Sequence, residues 1–308
     1  MSNSKTTRSG KPRIDMRSGS LNKAVLQAES VLVRTDSLKY FQRGIDLVKP
    51  VRYDKQFVRE LDRAPESVVA QPVSIFTLVR DVNAHAYCYQ FNDGKSVKVS
   101  FTHDHAHHLL DRVRAGQAKY RALDMITSTP VLLPDHTVLS QPGYQCGVLL
   151  VPVEGQTYPA VPEHVTEVMA KQAALTFEEI FHKFPFVNPG LPHWYDTPSY
   201  AVVLAAILSL VARPALPSIP MISVDAPVRG SGKTKITEAI SLIGVGHKPT
   251  VVSFNGPTEF SKLLVPLLRE GDRTVLIDNV ARPLEGDSLT ACSLARDIRV
   301  ASLVRVST

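Results

Sequence analysis

Cysteine is scarce in this chain, with three among 308 residues: Cys88, Cys146 and Cys292, dispersed and odd in number. No pair stands in C-x-x-C spacing, which argues against a disulfide framework or a zinc ribbon and predicts reduced thiols in a cytoplasmic protein. Long apolar runs are missing too. The longest, 201–212, is about twelve residues, well short of the ~20 a helical membrane span requires, so no membrane partner is expected and the run reads as a buried helix. The basic opening residues are not followed by an apolar stretch, which predicts no secretory signal. Tryptophan occurs once, at Trp194.

What the chain does have is basic charge, a net +6 from 35 Lys and Arg against 29 Asp and Glu. Residues 1–23 carry Lys5, Arg8, Lys11, Arg13, Arg17 and Lys23 against Asp15, so the remainder reads as nearly neutral. A Ser/Gly-rich stretch of that composition predicts a disordered basic tail over 1–20, either a contact for nucleic-acid phosphates or a solvated leader.

The most informative segment is 222–236, ISVDAPVRGSGKTKI. An apolar run over 219–224 has the character of a buried strand. A turn with Pro227, Gly230 and Gly232 follows, and Lys233 and Thr234 open a segment with helical spacing at Ile236, Ala239, Ile240 and Ile243. Strand, glycine-rich loop and helix in that order are the setting of a phosphate-binding P-loop. Backbone N–H groups and the positive end of the helix dipole wrap an anion there, and the glycines are expected to allow an approach that a Cβ would block. Lys233 would reach the β/γ-phosphates of ATP, and the Thr234 hydroxyl would ligate Mg²⁺. The motif departs from its pattern at Pro227, where the first glycine of the loop is expected. An accidental GSGKT would lack the flanking strand and helix.

A second signal lies at 273–279, RTVLIDN. An apolar strand ending in Asp278 delivers a carboxylate to the edge where ligands sit in a parallel sheet, the place of a second Mg²⁺-holding group. Asn279 follows where many ATPases carry Glu; it can orient a water but cannot accept its proton. Lys233, Asp278 and Asn279 are thus the candidate catalytic residues.

Upstream, 21–33 has helical spacing, 39–51 reads as two short strands turning at Gly44, 55–64 as a short charged helix and 73–82 as another. Residues 86–91 and 96–101 form a hairpin around Asn92-Asp93-Gly94, with a helix over about 104–114 after it. Helices followed by a two-stranded wing give this part a winged-helix-like pattern. The start of the 104–114 helix holds His103, His105, His107 and His108 with Asp104 and Asp111. Their spacing permits metal ligation but is equally that of a solvated helix face.

Residues 125–152 hold three apolar strands, and a Pro-rich linker follows at 152–162. A long amphipathic helix is expected over 163–183, then a loop with Trp194, which either stacks on an adenine or packs. A helix over 197–213 leads into the P-loop strand. Strands at 219–225, 249–253 and 274–278 alternate with helices at 232–244 and 257–269, which predicts a parallel sheet covered on both faces. The expected layout is therefore a tail over 1–20, a mixed α+β domain over 21–155, a helical connector over 163–215 and an α/β P-loop domain over 216–308. That last domain reads as a partial RecA- or AAA-like core, truncated at its carboxyl end, because the strand that should lie beyond Asp278 is not evident.

The run FPF…LAAILSLVARPAL…PMISVDAPVRGSGKTKI…EFSKLL…TVLIDNV resembles the P-loop ATPases of phages, prophages and integrated elements known as primase-helicase-like proteins. The upstream pieces KYFQRGIDLVKPV and TPVLLPDHTVLSQPGY look like the N-terminal region of the same proteins, so the likeness covers about residues 20–295. It implies a phosphate loop of Arg229, Gly230, Ser231, Gly232, Lys233 and Thr234, a metal held by Thr234 and Asp278, and a charged pair at Glu259 and Lys262. It also implies a DNA partner and a homo-oligomer, hexameric in the complete form. The family's sensor and arginine-finger region is absent from the chain. Two functions stay open: an ATPase driving DNA replication or unwinding, and a nucleotide-binding relative without hydrolysis that serves in DNA binding or as a scaffold. A small-molecule kinase is weaker, because no acceptor site or lid is visible.

Overall fold

The computed structural model describes residues 10–17, 19, 21–52, 68–187, 190–226, 230–253, 256, 259–260, 262–263, 266–267 and 271–278, and the backbone of 302–306. The helix expected over 55–64 lies outside the described residues. The chain is mixed α/β with several small sheets, and its contacts divide it into two compact units: residues 1–51 with 70–123, and 52–69 with 124–308.

The first unit contains β1 (Arg13–Asp15), α1 (Leu21–Arg34), β2 (Phe41–Arg43), β3 (Asp46–Arg52) except its last residue, β4 (Val68–Pro72) from Ala70 on, α2 (Ile75–His85), β5 (Tyr87–Asn92), β6 (Lys95–Lys98), α3 (His103–Arg114) and β7 (Arg121–Ala122). Gly44 turns β2 into β3, with φ +57°, and Arg43 pairs with Asp46. The β5–β6 hairpin closes on Asp93 (φ +48°) and Gly94 (φ +75°), the left-handed pair that a two-residue turn of matching twist requires. Ser74 caps α2 by accepting the Thr77 N–H.

Here the structure corrects the tail. Residues 13–15 are a strand, because Ile14 is fully buried and pairs with Cys88 of β5 in parallel. A three-residue strand is too short to show periodicity, so composition alone hid it. Consequently β5 and β6 are not a free wing but two strands of the sheet β1-β5-β6. Ala24, Val25, Ala28, Leu78, Val82, Leu109 and Val113 from α1, α2 and α3 share one core with Ile14 and Cys88. Charge is also placed differently from the sequence expectation. This unit holds seventeen Lys and Arg against eight Asp and Glu, a net +9, which leaves −3 for the second.

One polar network is built into the first unit. Asp81 is buried and takes hydrogen bonds from Tyr40 Oη (2.8 Å), Lys49 Nζ (2.9 Å) and Arg80 Nε (2.9 Å). Burial would raise its pKa, but these donors outweigh it and hold the carboxyl below its usual range. A depressed carboxylate contributes stability that is complete above about pH 4 and is lost as pH falls through the folded value. Asp81→Asn is therefore expected to lower stability by about 2 kcal/mol at pH 7, allowing for the partly exposed Lys49, and to flatten the acid limb. Denaturant titrations at pH 7 and pH 3 measure both; equal losses at the two values would contradict the network.

The second unit continues with β8 (Met125–Thr127), β9 (Val131–Leu132), β10 (Val138–Leu139), β11 (Gly143–Gln145), β12 (Val148–Leu150), α4 (Glu167–Phe181), α5 (Pro198–Val211), β13 (Ile222–Val224), α6 (Lys233–Val245), β14 (Thr250–Ser253), β15 (Thr274–Asp278) and β16 (Ser302–Val306). Residues 259–260, 262–263 and 266–267 are helical. Thr197 caps α5 by accepting the Tyr200 N–H, with Pro198 in the first helical position where its missing N–H costs nothing.

Two expectations of burial fail here. Among α4 residues only Phe181 is buried, and Val168, Leu175 and Ile180 are exposed. In α5, Tyr200, Val203, Ala206, Ile207 and Leu210 face the core, but Val202 and Leu208 face outward. The apolar run is a helix with one buried side, not a helix buried all round.

β13, β16, β15 and β14 form a four-stranded sheet in that order, and every neighbouring pair is parallel. β16, a strand that the sequence pattern did not show, lies between β13 and β15. On one side of this sheet α6 packs against α5. A Cβ at Gly244 would come 2.6 Å from Leu210 Cδ1 and 2.8 Å from Leu210 Cβ, so the helices approach closely because this residue has no side chain. Gly244→Ala should force them apart at a cost of about 1–3 kcal/mol, a typical overpacking loss. A melting temperature equal to that of the wild type would refute the close packing.

Candidate nucleotide site

β13 ends at Val224, and the chain turns through Asp225, whose carboxylate accepts the Ala226 N–H. Pro227 and the candidate Arg229 lie outside the described residues, as does Asn279. Gly230 and Gly232 adopt φ of +80° and +89°. A Cβ at Gly230 would meet nothing within 4 Å, and at Gly232 only the Phe184 ring at 3.8 Å. No protein group therefore requires glycine by close approach at these two positions, whereas both need the left-handed backbone that glycine adopts without strain.

Gly232 is the N-cap of α6 and has no side chain to offer. The first intrahelical bond runs from the Ile236 N–H to Gly232 O, so the N–H groups of Lys233, Thr234 and Lys235 are left at the helix mouth, where the helix dipole is positive. Beside them the Ser231 Oγ is buried with no hydrogen-bond partner among the described residues. Lys235 is neutralised by Glu238 at 3.0 Å, which also takes Lys248 at 3.3 Å. Lys233, half-buried, forms no ion pair with a described residue. Backbone donors, an ammonium-bearing side chain and an orphaned hydroxyl thus belong to the five consecutive residues 231–235 at the helix mouth, a set that fits an anion.

The sheet register brings Asp278 to the same edge. Val224 pairs with Val306, Arg305 with Ile277 and Ser253 with Asp278, so Val224, Val306, Asp278 and Ser253 stand in one row at the carboxyl ends of the four strands. The side on which Asp278 projects follows from Thr274, since residues 274, 276 and 278 alternate onto one face. Thr274 Oγ1 shares a 2.7 Å hydrogen bond with Ser241 Oγ of α6, so that face is the one α6 covers. From Ser241 back to Lys233 the helix climbs ~12 Å. From Thr274 up to Asp278 the strand climbs ~13 Å. The two climbs are similar in length, and β13, which ends in the same row at Val224, leads through the loop into α6 at Lys233. Thr234 and Ser241, seven apart, share a helix face, which turns Thr234 to the side of α6 that touches β15. Thr234 is exposed and Asp278 half-buried.

Next to the loop lies a cavity of about 530 Å³, walled by Phe184, Phe186, Val187, Val203 and Ile236, with Ser231, Gly232 and Lys233 at one side. Trp194 is committed to packing, stacked on Phe186 (5.8 Å, 8° between planes) and edge-on to Tyr200. Phe184 is the residue that motif reasoning undervalued; its position before a proline gave no sign that it would sit beside Gly232. Glu259 and Lys262 pair with each other at 2.8 Å on an exposed surface. The histidine cluster does not assemble. His103 packs edge-on against Phe76, and His105 hydrogen-bonds Thr102 Oγ1 at 2.6 Å. Among the described residues no group of three or more His, Cys, Asp or Glu is arranged for a metal ion.

No protein-family model matches the chain, and neither a curated protein nor a solved structure matches it.

Proposed function

We propose that the second unit is a P-loop nucleotide-binding domain with a RecA- or AAA-like core, and that the protein is an ATPase acting on DNA. The observation that supports this reading is the strand register, which sets Asp278 in the row where β13 ends before the loop that leads to the uncapped start of α6. Ser231, the first-turn N–H groups and Lys233 would hold the ATP phosphates, and Thr234 and Asp278 would hold Mg²⁺. The adjoining apolar cavity is large enough for a base and ribose beside Phe184 and Phe186. Bound Mg²⁺ supplies charge neutralisation at the β/γ-phosphates, and Lys233 adds a positive charge in place before reaction. In this reading the protein works in the cytoplasm as a homo-oligomer, with the mixed α+β unit facing DNA.

A second reading has the chain bind ATP without turnover. The residue after Asp278 favours it, since Asn279 cannot take a proton from an attacking water. Phosphate release with and without single-stranded DNA, compared between wild type and Lys233→Ala, separates the two. Release by the wild type well above the variant supports the enzyme. Wild-type nucleotide binding with release no faster than the variant's leaves only the binding protein.

A further inference from the structure

We propose that the outer face of the β1-β5-β6 sheet is a platform for single-stranded nucleic acid. The proposal deepens the DNA-partner part of the function above, yet its observations all lie in the first unit.

Strand alternation sorts the sheet into two faces. Ile14 and Cys88 point into the helical core. The opposite face carries Tyr87, Tyr89 and Phe91 in a row along β5, with Arg13 paired beside Tyr87, Lys98 across from Tyr89 and Ser96 across from Phe91. Phe91 is 50% exposed and Tyr87 and Tyr89 are half-buried. Three aromatic rings in line on a solvent-facing sheet surface contribute little to the core, which marks the row as an interaction surface.

The cations are arranged on the rings. The Arg13 guanidinium lies 4.2 Å from the Tyr89 ring centre and 5.8 Å from that of Tyr87, and its Nη2 donates to Ser96 Oγ at 3.1 Å. Its Nε is buried with no hydrogen-bond partner among the described residues. Arg17 sits 5.8 Å from the Phe91 ring while pairing with Asp15, the acid on this face, which Lys23 also approaches at 4.0 Å. The surrounding unit is strongly basic, at net +9.

Bases stack on aromatic faces and on guanidinium planes, and Lys and Arg take the phosphates. The ring spacing selects the form of nucleic acid. The Tyr89 and Phe91 ring centres lie 5.6 Å apart with their planes at 89°, farther apart than the ~3.4 Å rise per nucleotide of a duplex strand and not parallel as its stacked bases are. Successive rings therefore fit splayed bases, which a single strand offers and a duplex does not. An acidic protein would satisfy the charges but leave the ring row unused.

Fluorescence anisotropy of a labelled oligo-dT on the full chain tests this, alongside binding of a fluorescent ATP analogue in the same preparations. Tyr89→Ala with Phe91→Ala should weaken oligo-dT binding at least tenfold, and Phe91→Trp should keep it within twofold of wild type. Since the double variant risks misfolding, Phe91→Ser alone, at a half-exposed position, is expected to lose at least threefold with an unchanged melting temperature. The proposal is overturned if these variants bind like wild type, or if a duplex or polyglutamate binds as tightly as oligo-dT. No oligo-dT binding with intact ATP-analogue binding sinks the platform and spares the nucleotide site. The reverse result sinks the nucleotide site and spares the platform.

Discussion

Lys233→Ala is expected to weaken binding of an ATP analogue about 100-fold while leaving the melting temperature within 2 °C of wild type. The magnitude follows from the contact it would remove. A charge-assisted hydrogen bond to a phosphate in a partly water-excluded loop contributes about 3 kcal/mol, and each 1.4 kcal/mol is a factor of ten. Stability should hold because Lys233 has no ion-pair partner among the described residues and its backbone stays in the first turn of α6. Lys235→Ala is the internal control. Its ammonium is already tied to Glu238, so the same loss of one charge two residues away should change affinity by less than threefold. Titration of the analogue into the two variants checks both numbers. Equal losses at 233 and 235 would mean that general positive potential, rather than a shaped anion site, holds the nucleotide.

The second large effect concerns Arg273, at the foot of β15. Its side chain is buried, its Nη1 donates to Thr127 Oγ1 at 2.7 Å and its Nη2 to the Leu210 carbonyl at 2.6 Å. Burial pushes its pKa down to about 9, with Arg213 nearby adding repulsion, so the guanidinium is still charged at neutral pH. It meets a carbonyl in the last turn of α5, where a cation complements the helix dipole. Arg273→Met keeps bulk but leaves that carbonyl without its donor, and the expected loss is about 3 kcal/mol. For a protein of this size that lowers the melting temperature by roughly 6–12 °C. Arg273→Lys, which retains a charge but not the two-pronged geometry, should fall between. Calorimetry decides the matter: a Met variant melting within 1 °C of wild type would show that the buried arginine joins nothing.

These two residues illustrate what could be read in advance. Lys233 was legible because its signal is local: a glycine that must adopt positive φ, a helix with no side-chain cap and a strand before them all lie within fifteen residues. The hairpin at Asp93-Gly94, the Gly44 turn and the helices α2 and α5 were legible for the same reason. Arg273 looked like an ordinary charge before a strand, since its partners Thr127 and Leu210 are 146 and 63 residues away. β16 was missed because five residues with no turn signal declare themselves only by whom they pair with. The tail reading failed at residues 13–15 because one apolar residue among charges reads as disorder until Cys88 stands opposite it.

The amino-acid order alone determined the phosphate-loop pattern, the acid at the end of an apolar strand and the helices on either side, since each depends on backbone preferences within a turn or two. Only the tertiary structure decided that Asp278 stands in one row with the ends of three other parallel strands, that Thr129 Oγ1 donates to the Gly244 carbonyl of α6 and Arg273, just before β15, to Thr127, and that three aromatic side chains line one side of a sheet with Arg13. Those facts depend on strand register and on which face a helix covers. Both are set by burial summed over residues far apart in the chain, and no local window contains that sum.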